Sequence, residues 1–189
     1  MWETLLEWDR EALLALNGWG GAGWDRLWLT LSDKWAAIPL YALLLVYAFR
    51  SLGWRRALLF LVFIALLITA TDQMANLFKY GVGRLRPCHD PELDGLVRVV
   101  KASCGGRFGY FSAHAANAMA LAVFFFAHWG RSRSLWGSLL ILWALLVGYS
   151  RVYLGVHFPT DVLTGILIGA FFGWLFARLH FLADQKWMR

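Results

Sequence analysis

Charge is scarce in this chain. Asp, Glu, Lys and Arg make up only 16% of its 189 residues, against roughly 25% in ordinary soluble domains. Cysteine is nearly missing as well. Cys88 and Cys104 are the whole supply, too few for a disulfide-dense secreted scaffold. No Cys, His and carboxylate cluster of metal-ligand type stands out, so neither a metal nor a cofactor is expected. The N-terminal stretch MWETLLEWDREALLAL is acidic and amphipathic. It lacks the basic-then-apolar order of a leader, so no cleavable signal peptide is expected. The net charge of +6 does not argue for nucleic acid. Many of the cations (Arg50, Arg55, Arg56, Arg131, Arg133, Arg178, Lys186, Arg189) sit at the ends of apolar runs, as in the positive-inside distribution.

What is abundant is hydrocarbon. Hydrophobic residues are 60% of the chain and the mean hydropathy is +0.54. Twelve Trp are present, many beside apolar runs, as in an interfacial aromatic belt. Runs that approach the roughly 20 residues of a bilayer span recur along the sequence. The expectation is all-α: a polytopic transmembrane helix bundle of five or six spans, preceded by an N-terminal amphipathic helix, all in a single domain over residues 1–189.

Within it, Glu3–Leu16 reads as amphipathic, with Leu5, Leu6, Trp8, Leu13 and Leu16 opposed to Glu3, Glu7, Asp9, Arg10 and Glu11. Such a segment suits the membrane interface. Asn17–Gly23 is a turn, and Trp24–Leu31 is a half-helix or the start of a span, within an N-terminal region over residues 1–33. Five stronger spans follow, near Trp35–Phe49, Arg56–Phe78, Phe111–Trp129, Leu135–Ser150 and Phe158–Phe181. A sixth requires Leu13–Leu31 to cross. The one long connection covers residues 79–110, and loops of that length are usually functional. Alternating five spans puts the basic links and the C-terminal tail on the cytoplasmic side. The long loop and the Ser150–His157 link then share the outer side.

Ionisable groups are costly in or near a bilayer, so those that gather on this outer face mark a candidate site. In KYGVGRLRP, Lys79 and Arg86 offer a compact charge and a planar fork, which grip different oxygens of one phosphate. A membrane-edge Lys and Arg also snorkel without any ligand. In FSAH, Ser112 sits where an N-cap belongs, and His114 falls in the first turn behind it. Free N–H groups there suit an anion. In SRVYLGVHFPTD, His157 and Asp161 lie one helical turn apart. A carboxylate so placed holds an imidazole in one tautomer for nucleophilic attack, although the pair could simply cap a helix. Each element is bland alone; their meeting on one face is not. Asn117, one turn from His114, either bonds it or packs between helices, with packing favoured. Tyr110, Arg84, Arg107, His89 and Asp90 touch substrate or shape the loop. His128 and His180 are expected at the inner interface. Asp72 and Gln73 are expected to face the bundle interior.

These three elements resemble the signature of the type 2 phosphatidic acid phosphatase family, K-x6-R-P, P-S-G-H and S-R-x5-H-x3-D. Lys79, Arg86 and Pro87 match the first, and Ser150, Arg151, His157 and Asp161 the third. In the second, Ser112 and His114 match, while Phe111 stands for Pro and Ala113 for Gly. The resemblance implies a membrane lipid phosphatase. His157 would form a phosphohistidine, Asp161 would orient it, and His114 would protonate the leaving oxygen. Lys79, Arg86, Arg151, Ser112 and amides near Ala113 would hold the phosphoryl group without a metal. It also implies a lipid phosphate or diphosphate as partner, undecaprenyl diphosphate first. Phosphatidylglycerophosphate, phosphatidic acid and lipid A 1-phosphate are the alternatives. The chain would sit in the inner (cytoplasmic) membrane with its site facing the periplasm. Transfer to a second lipid instead of water stays open, as does a non-catalytic phosphate-binding module or transporter. Finally, Cys88 and Cys104 both fall on the long outer loop, where disulfides persist, so a bond between them is expected.

Overall fold

The structure is a computed structural model that describes residues 2–129 and 134–187. Among these residues seven α-helices follow one another: α1 (Trp2–Gly18), α2 (Ala22–Ser32), α3 (Ile38–Leu52), α4 (Trp54–Val82), α5 (Ala113–Trp129), α6 (Ser134–Tyr153) and α7 (Pro159–Trp187). Three of them, α4, α6 and α7, are long and apolar enough to cross a membrane, and α3 is apolar but shorter. The chain is therefore a multi-pass membrane bundle of helices. Arg131, Arg133 and Arg189, placed above at the cytoplasmic side, lie outside the described residues.

Residues Leu13–Leu31 do not form one span. The helix breaks after Gly18, and α1 and α2 are separate elements of 17 and 11 residues. In the break, Gly20 passes close to α6: a Cβ there would sit 2.1 Å from the Tyr153 ring. The other start and stop signals are local. Pro39 lies in the first turn of α3, where its missing N–H costs nothing. Gly53 (φ 75°) turns α3 into α4. Gly83 (φ 66°) ends α4 in the left-handed conformation, its N–H donating to Lys79 O at 3.1 Å. Lys79 thus belongs to the last turn of α4, and the long connection begins at Gly83 rather than at Lys79.

α5 is the centre of the bundle, with Ala115, Ala116, Ala118, Ala120, Phe124 and Phe125 among its buried residues. α7 lies directly on it. Gly165, Gly169 and Gly173 repeat every fourth residue along one stripe of α7, and each meets the α5 backbone. A Cβ on them would stand 2.6 Å from Ser112 O, 2.2 Å from Ala116 O and 2.4 Å from Ala120 O. Small residues at such a seam let two helices in lipid approach to backbone contact. On the outside, Leu43, Leu66, Leu142, Leu167 and Phe171 project outward exposed, as lipid-facing side chains should.

The bundle has two distinct ends. At one, Arg56 Nε lies 3.2 Å from Asp184 Oδ1, joining the start of α4 to the end of α7. Exposed Trp54, Trp136 and Trp187 gather near this end, and Trp8, Trp19, Trp24 and Trp35 belong to the other, the two-belt pattern of interfacial tryptophan. His128 and His180 are part of the packed interior near the first end: Phe124 O accepts from His128 Nδ1 at 2.7 Å, and His128 Nε2 is 2.9 Å from His180 Nδ1. At the opposite end α1 lies across α6 and α7. Asn17 Nδ2 donates to Arg98 O (3.0 Å) and Tyr153 O (2.7 Å), while its Oδ1 accepts from the Arg98 N–H (2.8 Å).

The seam makes a direct prediction. Gly169→Val forces a branched side chain into the α5 backbone, and overpacking of this kind costs about 1–3 kcal/mol or more. The variant should lose several degrees of melting temperature in detergent, whereas Leu167→Val, which faces outward, should stay within one or two.

Candidate active site

Every charged signature element arrives at the end of the bundle that α1 crosses. Lys79 comes from the last turn of α4, His114 from the first turn of α5, Arg151 from the last turn of α6, and His157 from the link before α7. Arg86 comes from the loop. All five line one cavity of about 700 Å³. Ala113 lines it too, at the open N-terminus of α5, where unbonded N–H groups favour an anion.

Arg86 is held rather than free. A short bridge pairs Leu85 with Phe108, and the Arg86 backbone N–H donates to Arg107 O at 3.0 Å. Its side chain then donates to Phe108 O (3.2 Å) and Cys104 O (2.8 Å). Burial lowers its pKa, an effect that Asp161 partly offsets. Cys88 and Cys104 are joined by a disulfide, with Cα atoms 6.4 Å apart, which ties the residues after Arg86 to the carbonyl that receives its guanidinium. His89 lies with these two sulfurs inside 4.8 Å, a metal-type cluster that sequence spacing did not suggest. The disulfide leaves it no thiolate to ligate with.

Arg151 is buried. One of its N–H groups donates in a short contact to Ser32 Oγ on α2, and its Nε has no partner. Ser32, also on the cavity wall, carried no signal in the sequence. Lys101 and Lys34 stand on the same wall. Burial, then the nearby Arg151, lowers the Lys101 pKa.

His157 is enclosed, with its Nδ1 3.5 Å from Asp161 Oδ2 and no hydrogen bond of its own. That spacing is longer than a formed hydrogen bond, and such contacts tighten when substrate arrives. Nδ1 is turned to the carboxylate, so Nε2 is the nitrogen left for the cavity. Burial first, then Arg151 and Arg86, lowers the His157 pKa to about 4 against the pull of Asp161. The imidazole is therefore neutral at pH 7, with a free lone pair available on Nε2. Asp161 is locked in turn. Its Oδ2 accepts from the Phe158 N–H (3.0 Å), and its Oδ1 from Arg84 (3.0 Å).

Ser112 occupies the N-cap position of α5 but does not cap it with its side chain. Its carbonyl accepts from the Ala116 N–H (3.0 Å) and its own N–H donates to Asp161 O (3.0 Å). Its Oγ is buried without a partner, behind the wall of the cavity rather than on it. Among the secondary candidates, Asn117 donates to Asp72 Oδ1 (2.8 Å) and meets Thr71 Oγ1, so it makes a polar contact between α4 and α5 instead of merely packing. Gln73, expected inward, is exposed; the turn that brings Asp72 to the cavity carries its neighbour away. Tyr110 OH lies 3.2 Å from Thr164 Oγ1, and Arg84 turns away from the cavity toward α1 and α7.

Below this charged end the same cavity is apolar. Tyr41 and Leu45 of α3, Ile64 and Ile68 of α4, Leu121 of α5 and Trp143 of α6 line it. The Tyr41 and Trp143 rings meet edge to face, 5.6 Å between centroids.

The sequence matches the PAP2 superfamily over residues 56–184. It is 41% identical to a lipid A 4'-phosphatase of Bacteroides thetaiotaomicron over 98% of this chain and 81% of that one. It is 30% identical to a lipid A 4'-phosphatase of Porphyromonas gingivalis over 98% and 78%. In fold it is similar to the crystal structure of Aquifex aeolicus LpxE, with a TM-score of 0.66 over 89% of this chain and 93% of that one, at 23% identity.

The loop geometry predicts a protected cysteine pair. Alkylation of freshly isolated, unreduced membranes should add no label to the intact protein, and reduction should expose two labelled thiols. Two labels before reduction would reject the bond.

Proposed function

The chain belongs to the PAP2 superfamily, a membrane lipid phosphatase by that membership, and on this premise we propose that it removes the 4'-phosphate of lipid A by transfer to His157 and then to water. The observation that carries this reading is the two-part cavity. Its charged end, with Lys79, Arg86, Arg151, His114 and His157, runs straight into walls of Tyr41, Leu45, Ile64 and Trp143. A phosphate joined to acyl chains fits both halves; a free phosphate fits only one. The name of the two relatives matched over nearly the whole chain favours lipid A over undecaprenyl diphosphate, the first expectation from the sequence.

The chemistry divides among this chain's own residues. His157 Nε2 attacks phosphorus in line with the ester oxygen. The P–O bond breaks, and His114 gives its proton to the departing alkoxide. Asp161 faces the Nδ1–H and stabilises the charged ring. Lys79, Arg86 and Arg151 neutralise the phosphoryl oxygens, which is the main demand of phosphoryl transfer. The amide end of α5 at Ala113 supplies further donors in this reading. Water then attacks the phosphohistidine, with His114 taking its proton, and inorganic phosphate leaves. No step needs a metal ion, since three cations already supply its charge. The active site faces the periplasm in this reading, at the end opposite the basic links.

The test is phosphate release by purified protein across lipid A, undecaprenyl diphosphate, phosphatidylglycerophosphate and phosphatidic acid, with chelator present. Lipid A should be the best substrate, and EDTA should leave the rate within twofold. His157→Ala should lower turnover by at least about 10³-fold, as expected when a nucleophile is lost. A folded variant that keeps its activity would remove His157 from the reaction.

The pH profile gives a second test. His157 must be unprotonated to attack, so its contribution as nucleophile is lost as pH falls through its pKa. The acid limb of kcat/KM should therefore lie near pH 4 rather than at the roughly 6.5 of a free imidazole.

A further inference from the structure

Behind the nucleophile, on the side away from the cavity, lies a buried ionic cluster that none of the signature residues except Asp161 belongs to. Arg84 sits between two carboxylates. One of its nitrogens donates to Asp161 Oδ1 (3.0 Å) and Thr160 Oγ1 (2.8 Å), and the other to Asp9 Oδ2 (2.6 Å). Its guanidinium lies 3.9 Å from the centre of the Phe158 ring. Asp9 comes from α1, outside the stretch 56–184 that matches the family. Its Oδ1 accepts from the Thr160 N–H (2.9 Å), and its Oδ2 also takes the Thr160 hydroxyl in a short contact. The side chains of Asp9 and Asp161 are 3% and 0% exposed, and that of Arg84 17%.

This arrangement does more than cap a helix. A cap for α7 needs an acceptor for the Thr160 N–H, which Asp9 alone supplies. It does not need a guanidinium shared with the carboxylate that faces His157. Charges so close and so poorly solvated couple strongly. Whatever Arg84 takes from Asp161 is withheld from the imidazole, and whatever Asp9 takes from Arg84 is returned to it. We propose that Asp9 and Arg84 are positioning residues for phosphoryl transfer, a clasp through which α1 fixes both the orientation of Asp161 and the negative charge it presents to His157. The proposal rests on the reading of His157 as nucleophile.

The other charged groups around His157 are Arg151 from α6 and Arg86 from the loop. His114 from α5 faces the same Arg151, with Lys79 of α4 and Lys101 beyond. None of them changes in the variants below, so any movement of the acid limb belongs to the clasp. Arg84→Gln removes a cation from behind Asp161. The imidazole then holds its proton more tightly, and the limb should move up by about one pH unit. Asp9→Asn removes an anion of the same shape. Arg84 is then wholly available to Asp161, and the limb should move down. Arg84→Lys keeps the charge but loses the fork, so the limb should stay while kcat falls. For Arg84→Gln the loss in kcat should be about 10- to 100-fold, the usual range for an outer partner of a reacting group, with KM within threefold of the parent.

The experiment is the pH dependence of kcat/KM for full-length protein on the substrate found best by phosphate release. It is run on monodisperse detergent fractions of the parent, the three variants and His157→Ala. Opposite movements for Arg84→Gln and Asp9→Asn establish the clasp. Movement in the same direction, or a lower kcat with an unmoved limb in both, makes the cluster a structural cap and overturns the proposal. If Arg84→Gln yields no folded protein, the downward movement in Asp9→Asn decides alone. An inactive His157→Ala beside unmoved limbs rejects the clasp but keeps the nucleophile, whereas an active His157→Ala rejects the nucleophile itself.

Discussion

Two helices in this bundle touch backbone to backbone, and the site depends on that contact. α7 brings Gly165, Gly169 and Gly173 onto the Ala-rich face of α5, where any side chain on those glycines would collide with a carbonyl. The seam runs up to the end that holds the charged cavity. Gly165 is one turn beyond Asp161 and faces Ser112 O, while the Ser112 N–H donates to Asp161 O at 3.0 Å. His114 and His157 therefore approach the same cavity from two helices with no freedom to slide. A helix pair spaced by larger side chains would leave these imidazoles further apart, and displacements near 1 Å are costly in phosphoryl transfer.

Around that frame the protein buries cations it does not fully neutralise. Arg151 retains an unbonded Nε. Arg86 spends its donors on carbonyl oxygens rather than carboxylates. Buried charge without a counterion is unfavourable, and here it is held in place by the disulfide-closed loop on one side and by α2 on the other. On the proposed reading, that unfavourable field is relieved when a phosphate enters. Donors fixed beforehand need no reorganisation as charge develops on the phosphoryl oxygens.

Much of this was legible in the sequence because lipid makes ionisable residues rare. Lys79, Arg86, His114, Arg151, His157 and Asp161 stand out against hydrocarbon, and alternation of the spans already brought them to one face. The helices were legible for the same reason, within a few residues at their ends. Other features were hidden by context. Asp9 sits among Glu3, Glu7 and Glu11 on an amphipathic helix, and nothing local distinguishes it from a solvated acid. Arg84 is two residues from Arg86, and nothing in that spacing says that one reaches Asp9 and Asp161 while the other lines the cavity. Ser32 is an ordinary serine at a helix end. The glycines of α7 carry no signal by themselves, and only the position of α5 gives their spacing meaning. Ser112 has the right identity for an N-cap, yet its hydroxyl stays unbonded because its backbone already meets Asp161.

The cavity holds about as much as a small drug-sized ligand needs, less than a lipid with several long chains. Its apolar half continues from the phosphate cradle between α3, α4, α5 and α6, helices that carry outward-facing leucines into the surrounding hydrocarbon. A substrate can therefore seat its phosphate while most of its chains remain in the bilayer, and no extraction from the membrane is required. The enzyme then senses how crowded its lipid is within the membrane plane rather than how concentrated it is in water. Its saturation is a property of surface mole fraction, and inert lipid added around it acts as a diluent of substrate.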